Sequence, residues 1–518
     1  MILRISIFSR FVILALIAGW LHPSLLAAAP EVSAASAPKQ LRTPRLSPDY
    51  TDLVIPPNIA PLNFIVQEAG TQFDVELRGA AGRLVQVKSG TPSIQFPLKQ
   101  WRELLDQNVG QNVQLTVSVR DSAGTWERFA TVTNFVAREK IDSHLAYRLL
   151  GPLYNFYQDV GIYQRNLETF QQDVVLHNSS FNKGCVNCHT FLKNRPDTMA
   201  LHIREKTSGN PMMLVQSNSV ARVDQTGGYL SWHPSGRLLT FSVNKLSLFF
   251  HTTAEPRDVY DANSDLKIYR VDSNTVVTPP AIARPEFLET WPGWAPDGKY
   301  LYFCRAQRQG VRQLHPPRYD LVRVSYDIDR DRWGEAEVLV AAKDSGLSAA
   351  QPRVSPDNTQ VLFCLAKEGN FPIYQQSSDI YSFSLVNHQY RRLEINSDQA
   401  DSWHCWSSSG RWLVFSSKRR DGLFTRPHIS YVDEAGGFHK AFILPQEDPA
   451  FYDTFLKNYN LPELIQGPVT FQRELARSVL NPKTIRNPTT QDTKAGPNPP
   501  KEEPRATEPY LEGTTEAQ

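Results

Sequence analysis

Cysteine is scarce in this chain, with five in 518 residues, and methionine is scarcer still at four. So few cysteines rule out a scaffold stapled by disulfides. None precedes Cys185, so a lipid-modified N-terminus would have no attachment atom. Excess charge is missing too: 55 Lys and Arg against 53 Asp and Glu leave a formal net charge of +2. That balance argues against a nucleic-acid or anionic-membrane partner. Beyond the N-terminal segment no stretch is apolar enough to cross a bilayer, so no transmembrane segment is expected in the mature chain. What the chain does have, 41% hydrophobic and 11% aromatic residues over this length, is enough for two or three packed domains.

The first 34 residues read as a signal peptide: Arg4 and Arg10 make a basic start, an apolar run follows from Phe11 to Leu21, and small residues come after it. Cleavage after Ala27–Ala29 would leave Pro30 first, so a cut after Ala34 is preferred, and the mature protein is expected to be exported to the periplasm. Residues 35–48, rich in Ala, Pro and Ser, read as a linker. From 49 to 140 the pattern alternates. Phe73, Val75 and Leu77 share one face, as do Val113, Leu115, Val117 and Val119, with Gly and Ser turns between the runs and one helical insert at "PLKQWRELLD". This predicts an N-terminal β-sandwich. Residues 141–196, dense in aromatics and without a clean period, read as a connecting segment.

Residues 197–450 repeat. "YLSWHPSGRLLTFSVNK", "TWPGWAPDGKYLYFCRA", "AQPRVSPDNTQVLFCLA" and "DSWHCWSSSGRWLVFSS" align on Pro234, Pro296, Pro356 and Ser408, at spacings of 62, 60 and 52 residues. Each is followed by a second hairpin, as at "SDLKIYRVD" and "SDIYSFSLV". Four-stranded units at this interval build a β-propeller, and four clear blades plus one or two degenerate ones make five or six. A C-terminal extension, 451–480, and a disordered tail, 481–518, complete the expected order.

The chemistry lies in "KGCVNCHTF". Cys-x-x-Cys-His is the attachment sequence for c-type haem: two thiols can add to the two vinyl groups while the adjacent imidazole ligates iron. From the residue frequencies, random placement yields about 0.001 such matches in a chain of this composition. One covalent haem c is therefore expected on Cys185 and Cys188, with His189 as axial ligand. Met199 or His202 is the candidate sixth ligand, and His177 is another nearby. Alternation along a strand would put Met199 and His202 on opposite faces. A zinc site, a thioredoxin-like redox pair and a Cys185–Cys188 disulfide are the competing readings. Cys304 and Cys364 fall at matching places in two repeats and read as small buried residues; Cys405 is an odd thiol, and His233 and His404 are assigned no chemistry.

The blade turns resemble those of the TolB-like family of exported propellers. Together with "GIYQR", "CVNCHTF" and "PDTMALHIR", they are similar to exported propeller proteins that carry a single c-type haem. The resemblance spans roughly residues 145–470 and implies a haem-bearing loop in or beside the first blade. The implied function is a periplasmic monohaem cytochrome, an electron relay whose propeller docks an unknown redox or envelope protein. The alternative is an interaction or sensing module with a structural or regulatory haem. Catalysis has little to rest on, since no G-x-S-x-G elbow and no second haem motif occur. N-terminal sequencing of the exported protein is expected to read Ala35 first; an intact Met1 on mature, released protein would overturn the signal-peptide reading.

Overall fold

The computed structural model describes residues 41–491 apart from 81, 152–158, 206, 208, 218, 250–257 and 309–316. The expected signal peptide lies outside the described residues, as do positions 492–518.

The alternating N-terminal stretch forms two sheets. In the larger, Gln72–Gly79 pairs antiparallel with Asn112–Arg120 so that Phe73, Val75 and Leu77 stand opposite Val119, Val117 and Leu115. All of these are buried. A three-stranded sheet, Leu46–Ser47, Phe64–Val66 and Ser93–Ile94, lies in the same unit. The sandwich thus begins inside the stretch read as a linker. The expected helix spans Leu98–Gln107 and buries Trp101, Leu104 and Leu105, and the Trp101 indole donates to the Ile59 carbonyl at 2.9 Å.

Six further sheets are present among the described residues, and they form a six-bladed propeller. The innermost strand of each sheet touches its counterpart in the next, and Asp401–Trp406 of the sixth meets Asn458–Ile465 of the first, which closes the ring. Four strands are named here: β1 (His144–Leu150), β2 (Cys185–Phe191), β3 (Thr198–Arg204) and β4 (Asn458–Ile465). Blade I is built from both ends of the propeller sequence. β1, Gly161–Asn166 and Gln172–His177 supply its outer strands, and β4 returns from the C-terminal side to become its inner one.

Three expectations change here. Residues 141–196 are not a connection: they supply most of blade I and the inner strand of blade II. Their aromatic density lacked a period because β1 is buried at every position, as a strand covered on both faces must be. The presumed C-terminal extension contains the strand that closes the ring. The expected tail is partly ordered: Ile485–Arg486 adds parallel to the edge of blade II and Thr489–Gln491 to that of blade III. Edge strands offer unpaired backbone groups, and this segment satisfies some of them despite its polar composition.

Sandwich and propeller share a core. Leu145, Tyr147 and Leu149 of blade I and Trp412, Val414 and Ile429 of blade VI pack with the sandwich residues Val117 and Phe129. If β4 holds the ring closed, Leu464→Ala, fully buried, should cost about 2–5 kcal/mol in urea unfolding. Ile485→Ala, on the exposed strap, should cost less than about 0.5 kcal/mol. Equal losses would refute the closing role of β4.

Candidate functional site

The Cys-x-x-Cys-His sequence is not on a loop. It forms β2, the inner strand of blade II, paired antiparallel with β3 so that Cys185 faces Arg204, Val186 faces Ile203 and Asn187 faces His202. Between Asn187 and Thr190 the register shifts, and Cys188 and His189 together oppose a single residue of β3. Cys188 takes up the left-handed backbone conformation, with φ 49°.

That bulge recurs around the whole ring. Tyr229, Trp291, Gln351, Trp403 and Leu461 occupy the same place in the other inner strands, each with φ between 50° and 59° and each beside a register shift. None is glycine, so each pays roughly 1–2 kcal/mol for its Cβ, a strain that persists only where packing dictates it. Aligned on the bulge, "CHTF" at 188–191 is the counterpart of "YLSW", "WPGW", "QPRV" and "WHCW". The aromatic residue three positions after the bulge, shared with three of the other repeats, was the available signal that the motif begins a repeat; its turn hid it, because Pro196-Asp197 comes three residues later than in the other blades and without glycine.

Both motif thiols are free and buried. Burial pushes each pKa up, only partly offset by Arg148 and Arg204 and, at Cys188, by the backbone at Tyr229. They are therefore protonated thiols at neutral pH rather than reactive thiolates. His189 is buried as well, and burial, with Arg148 adding to it, lowers its pKa to about 3. Its ring is neutral. Among the described residues neither ring nitrogen makes a well-formed hydrogen bond, and the Leu461 backbone offers the ring only a weak one. A buried polar atom left unpaired costs about 1–3 kcal/mol, so this imidazole has capacity for a further partner.

In chemistry the donor set fits a c-type haem: two reduced thiols and a neutral imidazole with unclaimed lone-pair capacity. The Cys188 thiol lies near Gly228 of blade III and the His189 ring near the Leu461 backbone of blade I, while Arg148 acts electrostatically on both thiols and on the imidazole. Among the described residues no three His, Cys, Asp or Glu side chains converge as metal ligands would.

The candidate sixth ligands part as alternation dictates. Met199 is packed with Val186, Phe191, Leu201 and Ile203. His202 is buried, its Nε2 is 3.1 Å from the Asn210 carbonyl oxygen, and burial followed by Arg204 lowers its pKa to about 3. The ring nitrogens of His177 are both engaged, by Asp159 at 2.9 Å and Ser179 at 2.8 Å. Cys304 and Cys364 are fully buried in neighbouring blades. His404 stands at the His189 position in blade VI, with its Nδ1 3.7 Å from the Cys364 sulfur and its Nε2 unpartnered. His233 fastens blade III to blade IV, its Nε2 3.1 Å from the Gly298 carbonyl oxygen.

No protein-family profile and no curated protein matches the chain. Among solved structures, it is similar to a putative TolB from Agrobacterium tumefaciens at 16% identity and a TM-score of 0.35, over 62% of this chain and 98% of the other. A structure of oligogalacturonate lyase in complex with manganese aligns at 12% identity and a TM-score of 0.33, over 58% and 73% of the two chains. The propeller of Dos1 aligns at 12% identity and a TM-score of 0.31, over 51% and 62%. The likeness concerns the propeller fold alone.

Proposed function

We propose that this chain is an exported, periplasmic monohaem c-type cytochrome, an electron relay whose propeller docks a redox or envelope partner. The observation that carries the reading is His189, a buried neutral imidazole neither of whose nitrogens makes a well-formed hydrogen bond among the described residues, directly after two free thiols at haem-attachment spacing. Cys185 and Cys188 would hold the group covalently, and His189 would serve as its axial ligand. When bound, the group supplies a reversible one-electron change at iron. The protein's part is to keep the thiols reduced and protonated until attachment, to keep His189 neutral, and to exclude water with the packed walls of blades I, II and III. Met199 or His202 would complete the coordination. A propeller ring around this strand gives a rigid, broad face for a partner, and one haem suits a relay that passes single electrons.

A second reading has its own support. Beside Cys188 the bulge ring is aromatic: Tyr229 lies 3.7 Å from Trp291 between ring centroids, Trp291 lies 5.2 Å from Trp403, and Phe371 stacks on Tyr374 at their edge. Such a lining suits an interaction module, in which the haem is structural or regulatory.

The decisive measurement is a pyridine haemochrome spectrum of the full chain from an exporting host with haem c maturation. About one covalent haem per chain is expected, lost in Cys185→Ala/Cys188→Ala. His189→Ala should leave little stable low-spin haem, and the charge-transfer band of methionine ligation should vanish in Met199→Leu if that residue is the sixth ligand. Folded, exported protein without covalent haem would refute the relay and leave the interaction module.

A further inference from the structure

Arg148 is a buried cation that forms no ion pair among the described residues. It projects from β1 in blade I and is only 8% exposed. One guanidinium nitrogen, Nη1, donates to the Asn187 side-chain oxygen and reaches the Val186 carbonyl at 3.5 Å, both within the motif strand. Its Nε is buried with no partner among the described residues. Its strand neighbours, Ile162 on one side and Asn460 on the other, are uncharged.

The other two buried arginines, Arg165 and Arg426, also have a buried Nε without a partner among the described residues, but their remaining guanidinium nitrogens are anchored. The Arg426 guanidinium donates to the Lys457 and Phe455 carbonyls at 2.7 and 2.6 Å and lies over three aromatic rings, and that of Arg165 is held by Gln446 and the Pro445 carbonyl. These two tie elements together. Arg148 instead faces the one strand that carries two thiols and the His189 imidazole. A buried charge persists when something pairs with it, and a guanidinium is shaped to hold a carboxylate through two parallel hydrogen bonds.

We infer that Arg148 is a carboxylate receptor built into the wall of the Cys185–His189 site. The inference rests on the proposed haem site for one of its two sources of ligand, a carboxylate carried by the bound prosthetic group; the other is a small free carboxylate. Arg148 acts by positioning that group, through charge and paired hydrogen bonds, and takes no part in attachment.

Two measurements on the full chain test this. In holoprotein, Arg148→Gln, which keeps a hydrogen-bonding side chain but no charge, should lower the haem content severalfold or shift the midpoint potential downward, because a neighbouring cation disfavours the oxidised iron. Arg148→Lys should retain most of the parent behaviour. In haem-free chain made without haem maturation, acetate at constant ionic strength should raise the unfolding temperature more than chloride does, in the parent and Arg148→Lys but not in Arg148→Gln. A parent that takes up no haem refutes the relay, yet an Arg148-dependent acetate response would still establish the receptor with a free carboxylate as its ligand. A haem effect without an acetate response assigns the ligand to the prosthetic group. If haem content and potential are indifferent to Arg148 and acetate stabilises no more than chloride, the inference is overturned. Should Arg148→Gln fail to fold, Arg148→Met takes its place in both measurements, with the same outcomes deciding.

Discussion

Everything in the propeller half depends on one strand pairing. β4 returns from residues 458–465 to lie against β1 at 144–150, so a single ladder of backbone hydrogen bonds joins segments more than 300 residues apart and closes the ring. Such a pairing carries a large loop-closure cost, offset by a strand buried between blades I and VI. The same strand shapes the motif's surroundings. Glu463 accepts the Phe191 N–H and the Leu461 backbone lies beside His189, so the environment of the Cys-x-x-Cys-His sequence is set in part by the C-terminal region.

The second constraint is the ring of bulges. Six non-glycine residues accept a left-handed backbone at equivalent positions, and their side chains line the middle of the molecule. At five of these positions the residue is bulky or amide-bearing; at the sixth it is Cys188. The motif is therefore subject to two demands at once, the geometry of an inner blade strand and the chemistry of its thiols and imidazole.

Polar groups left without partners gather near the ring's centre. Besides His189, the Gln351 amide, the Trp403 indole and His404 Nε2 are buried with none among the described residues, all at or next to bulge positions. Buried polar atoms are normally satisfied, so these four residues stand out among the inner strands. The sandwich packs on blades I and VI, and its Arg42–Glu68 ion pair, with Glu68 buried, belongs to its own fold.

The sequence by itself determined the sandwich alternation, the blade repeats from Tyr229 onward and the attachment spacing of Cys185, Cys188 and His189, because period-two patterning, turn residues and thiol spacing are local properties. It did not reveal that "CHTF" opens a blade, since the Pro196-Asp197 turn of that repeat is displaced and lacks glycine. Nor did it reveal that residues 141–182 form blade I, since strands buried on both faces carry no alternation. Only the tertiary structure decided that β4 closes the ring, that residues 485–491 strap two blade edges, and that Arg148 lies beside the motif with no ion pair among the described residues. Those facts depend on contacts between distant segments, and no local pattern encodes which strand a returning chain will pair with.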